Sequence, residues 1–321
     1  MPLLPLVLVL GGLTPAAAEP GPGPAAELAR VARLGVAPGR DAAPPGATAT
    51  ETAEYAAESA ARGELSYALP AGPRTVRALE VEPSPATAEA WRLARLRLTW
   101  EDDDPWSDGS AVDLPLGLVF GRGSGLPAVE SAAVGTANGA WVNRFPMPYR
   151  TRALLRVSTD RPIEGRIRVR TTRGVAADAG YFRGDRLSSR PRAAVTGRGR
   201  GHLAGIFAVT EGPAPAGPGR LVVDGKPGGS LAATLGIDAR RDPARSGPGP
   251  VRGVLFPAGD AGRPAARSAA YRWFLVAPVA FEDSFAIEAG ADPGDAPAPA
   301  SVQTAAVFWY SESPGGLRGG P

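Results

Sequence analysis

The 321-residue chain has no cysteine, one histidine and one lysine, and each shortage closes off some chemistry. Without cysteine there are no disulfides, no thiolate nucleophile and no Cys-ligated zinc. His202 is the only imidazole, so a Ser-His-Asp triad would have to use it, and a metal site built on several histidines is excluded. Lys226 stands alone among 35 basic residues that are otherwise arginine. A formal net charge of +3 is small for this length despite a pI near 9.6, and it gives no support for nucleic-acid binding. Long apolar runs are also scarce. PLLPLVLVLGGL near the start falls short of the roughly 20 residues of a membrane span. With Ala16-Ala17-Ala18 after it, it reads as a secretory signal peptide over residues 1–18, although a positive n-region is missing. The mature protein is therefore expected to be exported to the periplasm, cell surface or exterior, with no stable membrane span.

Glycine and proline are abundant instead, at 42 and 35 residues, which points to many short elements joined by turns. Residues 19–64 read as a linker or arm with short helices, one over AAELARVARLGV (25–36) and one over ATETAEYAAESAARGE (48–64), where Thr50 or Thr52 is available as N-cap. From Leu65 the pattern becomes short alternating runs: RTVRALEVE, RLARLRLTW, LPLGLVF, RALLRVSTD, EGRIRVRTT, GHLAGIFAVT, GRLVVDG, RGVLFPAG, AYRWFLVAPVAF, DSFAIEAG and TAAVFWYS. In RIRVRTT, Ile167 and Val169 fall on one face and Arg166, Arg168 and Arg170 on the other. Roughly ten closely spaced strands predict a sandwich or jelly roll.

Two stretches invite a chemical reading. WEDDDPWSDGSAVD (100–113) gathers six acids around two tryptophans, as sugar-binding surfaces do, but an EF-hand frame starting at Asp104 has Trp106 third and Pro115 twelfth, so calcium ligation fails. GRGRGHLAG (197–205) has glycines at alternate positions without the G-x-x-x-x-G-K-[ST] pattern of a phosphate loop, and reads as a turn entering a strand. No motif calls for a cofactor or metal.

Seven segments, in order, resemble the glycoside hydrolase family 172 proteins: WSDGSAVDLPLGLVFG, FPMPYR, YFRGD, GRGHLAG, LVVDG, YRWFLVAPVAFEDSFAIEAG and AVFWY. The resemblance covers about residues 65–312. It implies a double jelly roll with the first unit over 65–190, the second over 191–312 and a tail over 313–321. It also implies assembly as trimers or multiples of them, and action on fructofuranosides and related furanosides.

In that family V-D-G lies between two catalytic glutamates. A gapless alignment on Val223-Asp224-Gly225 puts Ala216 and Ile237 at their positions, and neither side chain can protonate a leaving group or act as a nucleophile. Phe274, Ala277, Leu118, Arg183 and Ala289 likewise stand where the family has His, Asp, Asp, His and His. The segment from Gly217 to Ala239, read as a strand, an Asp-Gly turn and a glycine-rich loop, looks like an active site without its acids. The resulting expectation is a non-catalytic carbohydrate-binding or assembly protein, with Arg183, His202, Asp238 and Arg272 as candidate ligand contacts. The alternative is a furanoside hydrolase working through Glu211, reached by an insertion of about five residues, or through Asp238 as a shorter substitute acid.

Overall fold

The computed structural model describes residues 50–101, 110–175, 179–188, 193–211, 219–230, 234–235, 251–255, 267–275, 279–288 and 301–313. The signal-peptide segment, the helix expected over 25–36, acidic residues 102–109, and Ala216, Ile237, Asp238, Ala277 and Ala289 lie outside these residues.

Twenty described strands form three sheets. The first runs β1 (Glu51–Ser59), β10 (Ile163–Arg173), β3 (Arg74–Pro83), β7 (Ala140–Asn143) and β6 (Val134–Ala137), with β8 (Met147–Tyr149) against β3. The second runs β16 (Arg252–Leu255), β17 (Arg267–Trp273), β13 (Gly201–Glu211), β20 (Ser301–Ser311), β11 (Tyr181–Ser188), β5 (Val112–Pro115), β4 (Arg95–Trp100), β9 (Ala153–Thr159) and β2 (Gly63–Ala68), with β18 (Val279–Phe281) against β13. The third runs β12 (Ala194–Arg198), β19 (Ser284–Glu288), β14 (Arg220–Val223) and β15 (Lys226–Ser230).

The second sheet is the shared layer. On β20, Ala306, Phe308 and Tyr310 enter the core facing the first sheet, while Ala305, Val307 and Trp309 enter the core facing the third. On β13, Phe207 and Val209 go one way and Ile206 and Ala208 the other. Burial on both faces explains why AAVFWY is an unbroken apolar run, since an inward/outward alternation arises only where one face meets water. The all-β double jelly roll expected from the sequence takes this form: two sandwiches built on one common sheet.

Strand β10 shows the one-sided case. Ile167 and Val169 are 1% and 0% exposed, while Arg168 on the outer face meets Glu54 of β1 at 3.0 Å and Glu82 of β3 at 2.7 Å. The same pairing corrects the expectation of a helix over 48–64. That stretch forms β1 and the start of β2, with Tyr55 and Ala57 turned inward and Thr52, Glu54 and Glu58 outward. Helix propensity for Ala and Glu is a weak prior. Here it is overridden by nine backbone partners along β10 and by arginines that receive the glutamates.

Two further readings change. LPLGLVF is not one strand: Pro115 ends β5, and Leu116–Val119 form a single helical turn in which all four residues are buried. KPGGS is not a loop but β15, which among the described strands is an edge strand paired with β14 alone, and Pro227 is tolerated there because an edge has a side on which no N–H is needed.

Candidate functional site

The segments that resemble family motifs meet through their aromatic residues. Phe145 of FPMPYR packs 5.5 Å from Phe182 of YFRGD, 5.7 Å from Phe308 of VFWY and 5.5 Å from Trp273 of YRWF, measured between ring centroids. Polar ends are satisfied locally: the Tyr310 hydroxyl donates to the Pro146 carbonyl at 2.7 Å, and the Trp273 indole donates to Ser131 Oγ at 2.8 Å. Each such aromatic pair adds about 1 kcal/mol beyond buried area. These positions build the main core, so their presence reports the scaffold rather than a reaction.

Val223-Asp224-Gly225 is likewise structural. Asp224 and Gly225 have φ of +48° and +71°, the left-handed pair that a two-residue type I′ hairpin requires, and they join β14 to β15. The Asp224 carboxylate then accepts hydrogen bonds from the backbone N–H groups of Ser284 (3.0 Å), Asp283 (2.9 Å) and Glu282 (3.1 Å) at the turn between β18 and β19. Those three donors, Ser284 first, hold its pKa below the usual carboxylate value.

A shallow cleft opens where β12 of the third sheet passes the β11 and β20 part of the second. It encloses about 390 Å3 including open solvent, of which about 30 Å3 admits the centre of a water molecule. Arg183 and Asp185 of β11, Thr196 and Arg198 of β12, and Trp309 and Ser311 of β20 line it. Residues two apart on a strand leave the same face, which places Arg183 beside Asp185, and Trp309 is the direct ladder partner of Arg183. Arg183 is 4% exposed and is held by Nε to Ser311 Oγ at 3.3 Å and by Nη2 to the Ser313 carbonyl at 3.0 Å. The Trp309 ring sits edge-on to Phe285 at 5.3 Å.

Asp238 lies outside the described residues; of the other candidates named from the sequence, only Arg183 lines this cleft. His202 pairs with Tyr310 and stacks on its ring at 5.0 Å, which puts it on the opposite face of the same sheet from Trp309. Its Nε2 is buried without a hydrogen-bond partner among the described residues, and burial pushes its pKa down to about 4. Arg272 faces the third sheet but is three strands from Arg183, roughly 14 Å across the ladder. It donates to the Thr234 carbonyl at 2.7 Å and lies 5.3 Å above the Phe274 ring. Glu211 ends β13 eight residues beyond Leu203, the ladder partner of Trp309, so it stands roughly 25 Å along the sheet from the cleft.

Asp185, Arg198 and Trp309 were not singled out in the sequence. The available signal was the R-x-D spacing in YFRGD, which puts both charges on one strand face; Arg198 and Trp309 reach them only through the third sheet and the β11/β20 register. Among the described residues no group of three or more acidic or histidine side chains is disposed to hold a metal ion, and no helix is long and apolar enough to cross a membrane.

Among solved structures, the chain is similar to the major capsid protein P2 of bacteriophage PM2 at 10% identity and TM-score 0.41, covering 84% of this chain and 100% of that one. It is also similar to the STIV MCP at 13% identity and TM-score 0.38, covering 82% and 95%. A third match, from the atomic structure of Sulfolobus turreted icosahedral virus, has 12% identity and TM-score 0.39, covering 82% and 89%. Values this low transfer no role. No curated protein matches the chain. The family model described as GH172 domain-like matches residues 49–165, from just before β1 into β10, and this match supports the resemblance of that part of the chain to glycoside hydrolase family 172.

Proposed function

We propose that this is an exported, non-catalytic member of the glycoside-hydrolase-like double jelly rolls, serving to bind carbohydrate or to assemble. The observation that carries the reading is the fate of the acids around the V-D-G turn. The positions aligned with the family's glutamates are Ala216 and Ile237, and the turn's own carboxylate, Asp224, is already committed to three backbone donors. Hydrolysis of a glycosidic bond takes two carboxyl groups, one to protonate the leaving oxygen and one as nucleophile or base. In the described cleft Asp185 is the sole carboxylate, and Glu211 is far from it along β13. The signal-peptide reading of residues 1–18 supports export.

A homotrimer is part of the same proposal. Among the described strands the three sheets end in β1 and β6, β2 and β16, and β12 and β15, and sheet edges invite pairing that a closed cyclic assembly would satisfy. Light scattering is expected to give three times the 32.8 kDa chain mass, less the cleaved leader; a monomer mass at micromolar concentration would remove the assembly half of the proposal. A glycan array probed with folded protein tests the binding half, for which retention of at least one saccharide class is expected.

A further inference from the structure

Amide side chains are almost absent from this protein: the sequence holds two asparagines, Asn138 and Asn143, and one glutamine. The fold places the two asparagines in opposite conditions. Asn143 is 0% exposed, donates from Nδ2 to the Val119 carbonyl at 3.0 Å and accepts from the Phe145 N–H at Oδ1, also at 3.0 Å. The backbone nitrogen that follows it, that of Arg144, donates to the Ala133 carbonyl at 2.7 Å. Asn138 is exposed at the tip of the β6–β7 hairpin, and neither its side chain nor the Gly139 N–H has a hydrogen-bond partner among the described residues.

Register explains why Asn-Gly stands there. Ala137 pairs with Ala140, so the loop is two residues long, and Asn138 and Gly139 take φ of +50° and +82°, the left-handed pair of a type I′ turn. An added Cβ at Gly139 would meet nothing within 4 Å, so the outer side of the turn is open. Asp224-Gly225 makes the same turn between β14 and β15, but its side chain is held by three backbone donors. Asn138 carries no such restraint.

We propose that Asn138 is a site of spontaneous deamidation, at which the folded protein converts an exposed asparagine into aspartyl and isoaspartyl forms. The Gly139 backbone nitrogen loses its proton to a solvent base and attacks Asn138 Cγ, closing a succinimide ring. The Cγ–Nδ2 bond breaks, and the side-chain nitrogen takes up a proton and leaves as ammonia. Water then opens the ring: addition at the Cγ carbonyl gives aspartate, and addition at the backbone carbonyl gives isoaspartate, with the chain running through the side chain. Ring closure requires the hairpin tip to open locally. β6 is four residues long and among the described strands pairs with β7 alone, which keeps that opening at the low end of local free energies. An isoaspartyl link adds a methylene to a loop whose length the Ala137 to Ala140 register fixes, so the aged form loosens β7 and with it Trp141, over whose ring the Arg122 guanidinium lies at 4.8 Å.

The test is ageing of the purified full chain at mildly alkaline pH, folded and in urea, followed by peptide mapping. Trypsin releases Gly123–Arg144 with both asparagines and no aspartate on one peptide, so fragment masses assign the exchange of NH2 for OH to one residue or the other. In the folded chain, exchange at Asn138 is expected to run roughly tenfold or more faster than at Asn143, because opening a hairpin tip takes less free energy than opening the core. The aged peptide is expected to accept a methyl group from an isoaspartyl methyltransferase, and Asn138→Gly, which suits a positive φ, removes both signals. Exchange at Asn138 confined to the urea sample, or absent from both samples, overturns the proposal, as does equal exchange at the two asparagines of the folded chain.

Discussion

Asp224 and Ser284 are bonded in both directions: the Asp224 N–H donates to the Ser284 carbonyl at 2.9 Å, and Asp224 Oδ1 accepts from the Ser284 N–H at 3.0 Å. The pair clamps the β14–β15 hairpin onto the turn that opens β19. An Asp-Gly pair in a motif next to expected catalytic positions is thus a brace.

The brace predicts a graded response. Asn keeps an acceptor oxygen and tolerates a left-handed backbone, whereas Ala keeps neither property. Asp224→Asn is expected to lower the melting temperature less than Asp224→Ala, and neither should change ligand affinity once the protein is folded. Because the carboxyl's pKa is depressed in the fold, its contribution is present above pH 3.8 and is lost as pH falls below it, so wild type should approach Asp224→Asn in acid while Asp224→Ala, whose left-handed backbone remains unfavourable at every pH, stays below both.

His202 acts at a higher pH. Burial lowers its pKa from 6.5 to about 4, so between those values the unfolded chain takes up a proton that the folded chain refuses. Stability from this group is complete above pH 6.5 and declines as pH falls to about 4, by up to about 3 kcal/mol. His202→Phe keeps the stack on Tyr310 and removes the orphaned Nε2. Urea unfolding across this range should show a shallower loss of stability in the variant than in the wild type.

Close approach fixes two glycines of GRGRG. A Cβ at Gly201 would sit 2.0 Å from the Tyr310 carbonyl oxygen, and one at Gly197 would sit 2.3 Å from the Phe285 ring. Overpacking of this kind costs on the order of 1–3 kcal/mol, and the Gly201 clash is with backbone, which cannot rotate away. Thermal melts should therefore rank Gly201→Ala below Gly197→Ala, with both below wild type.

The aromatic junction should be the most sensitive point of the scaffold. Phe145 is 0% exposed and touches three other rings, and its truncation to Ala is expected to cost about 3–5 kcal/mol. Denaturant titration of Phe145→Ala checks this.

What could be read from the sequence followed the periodicity. RIRVRTT announces its faces because one of them meets arginine-ready glutamates and water, and the Asp-Gly turn announces itself by its backbone demand. The β1 stretch was hidden, since its alanines and glutamates favour a helix in isolation and only the partner β10 makes them a strand. KPGGS was hidden for the converse reason, as nothing local distinguishes a glycine-rich edge strand from a loop.

The candidate site was legible in one residue. Arg183 is named by its departure from a motif and Asp185 lies two residues along the same strand, but Arg198 arrives from the third sheet and Trp309 joins through register with a segment more than a hundred residues away. Arg183 and Arg272, grouped by motif order, are separated by two intervening strands.

The central claim is that the chain does not cleave glycosides, and sugar release measures it directly. Folded wild-type protein incubated with aryl fructofuranosides and aryl arabinofuranosides is predicted to liberate no more phenol than buffer. Release above that level, abolished by Glu211→Gln or Asp238→Asn, would contradict the account.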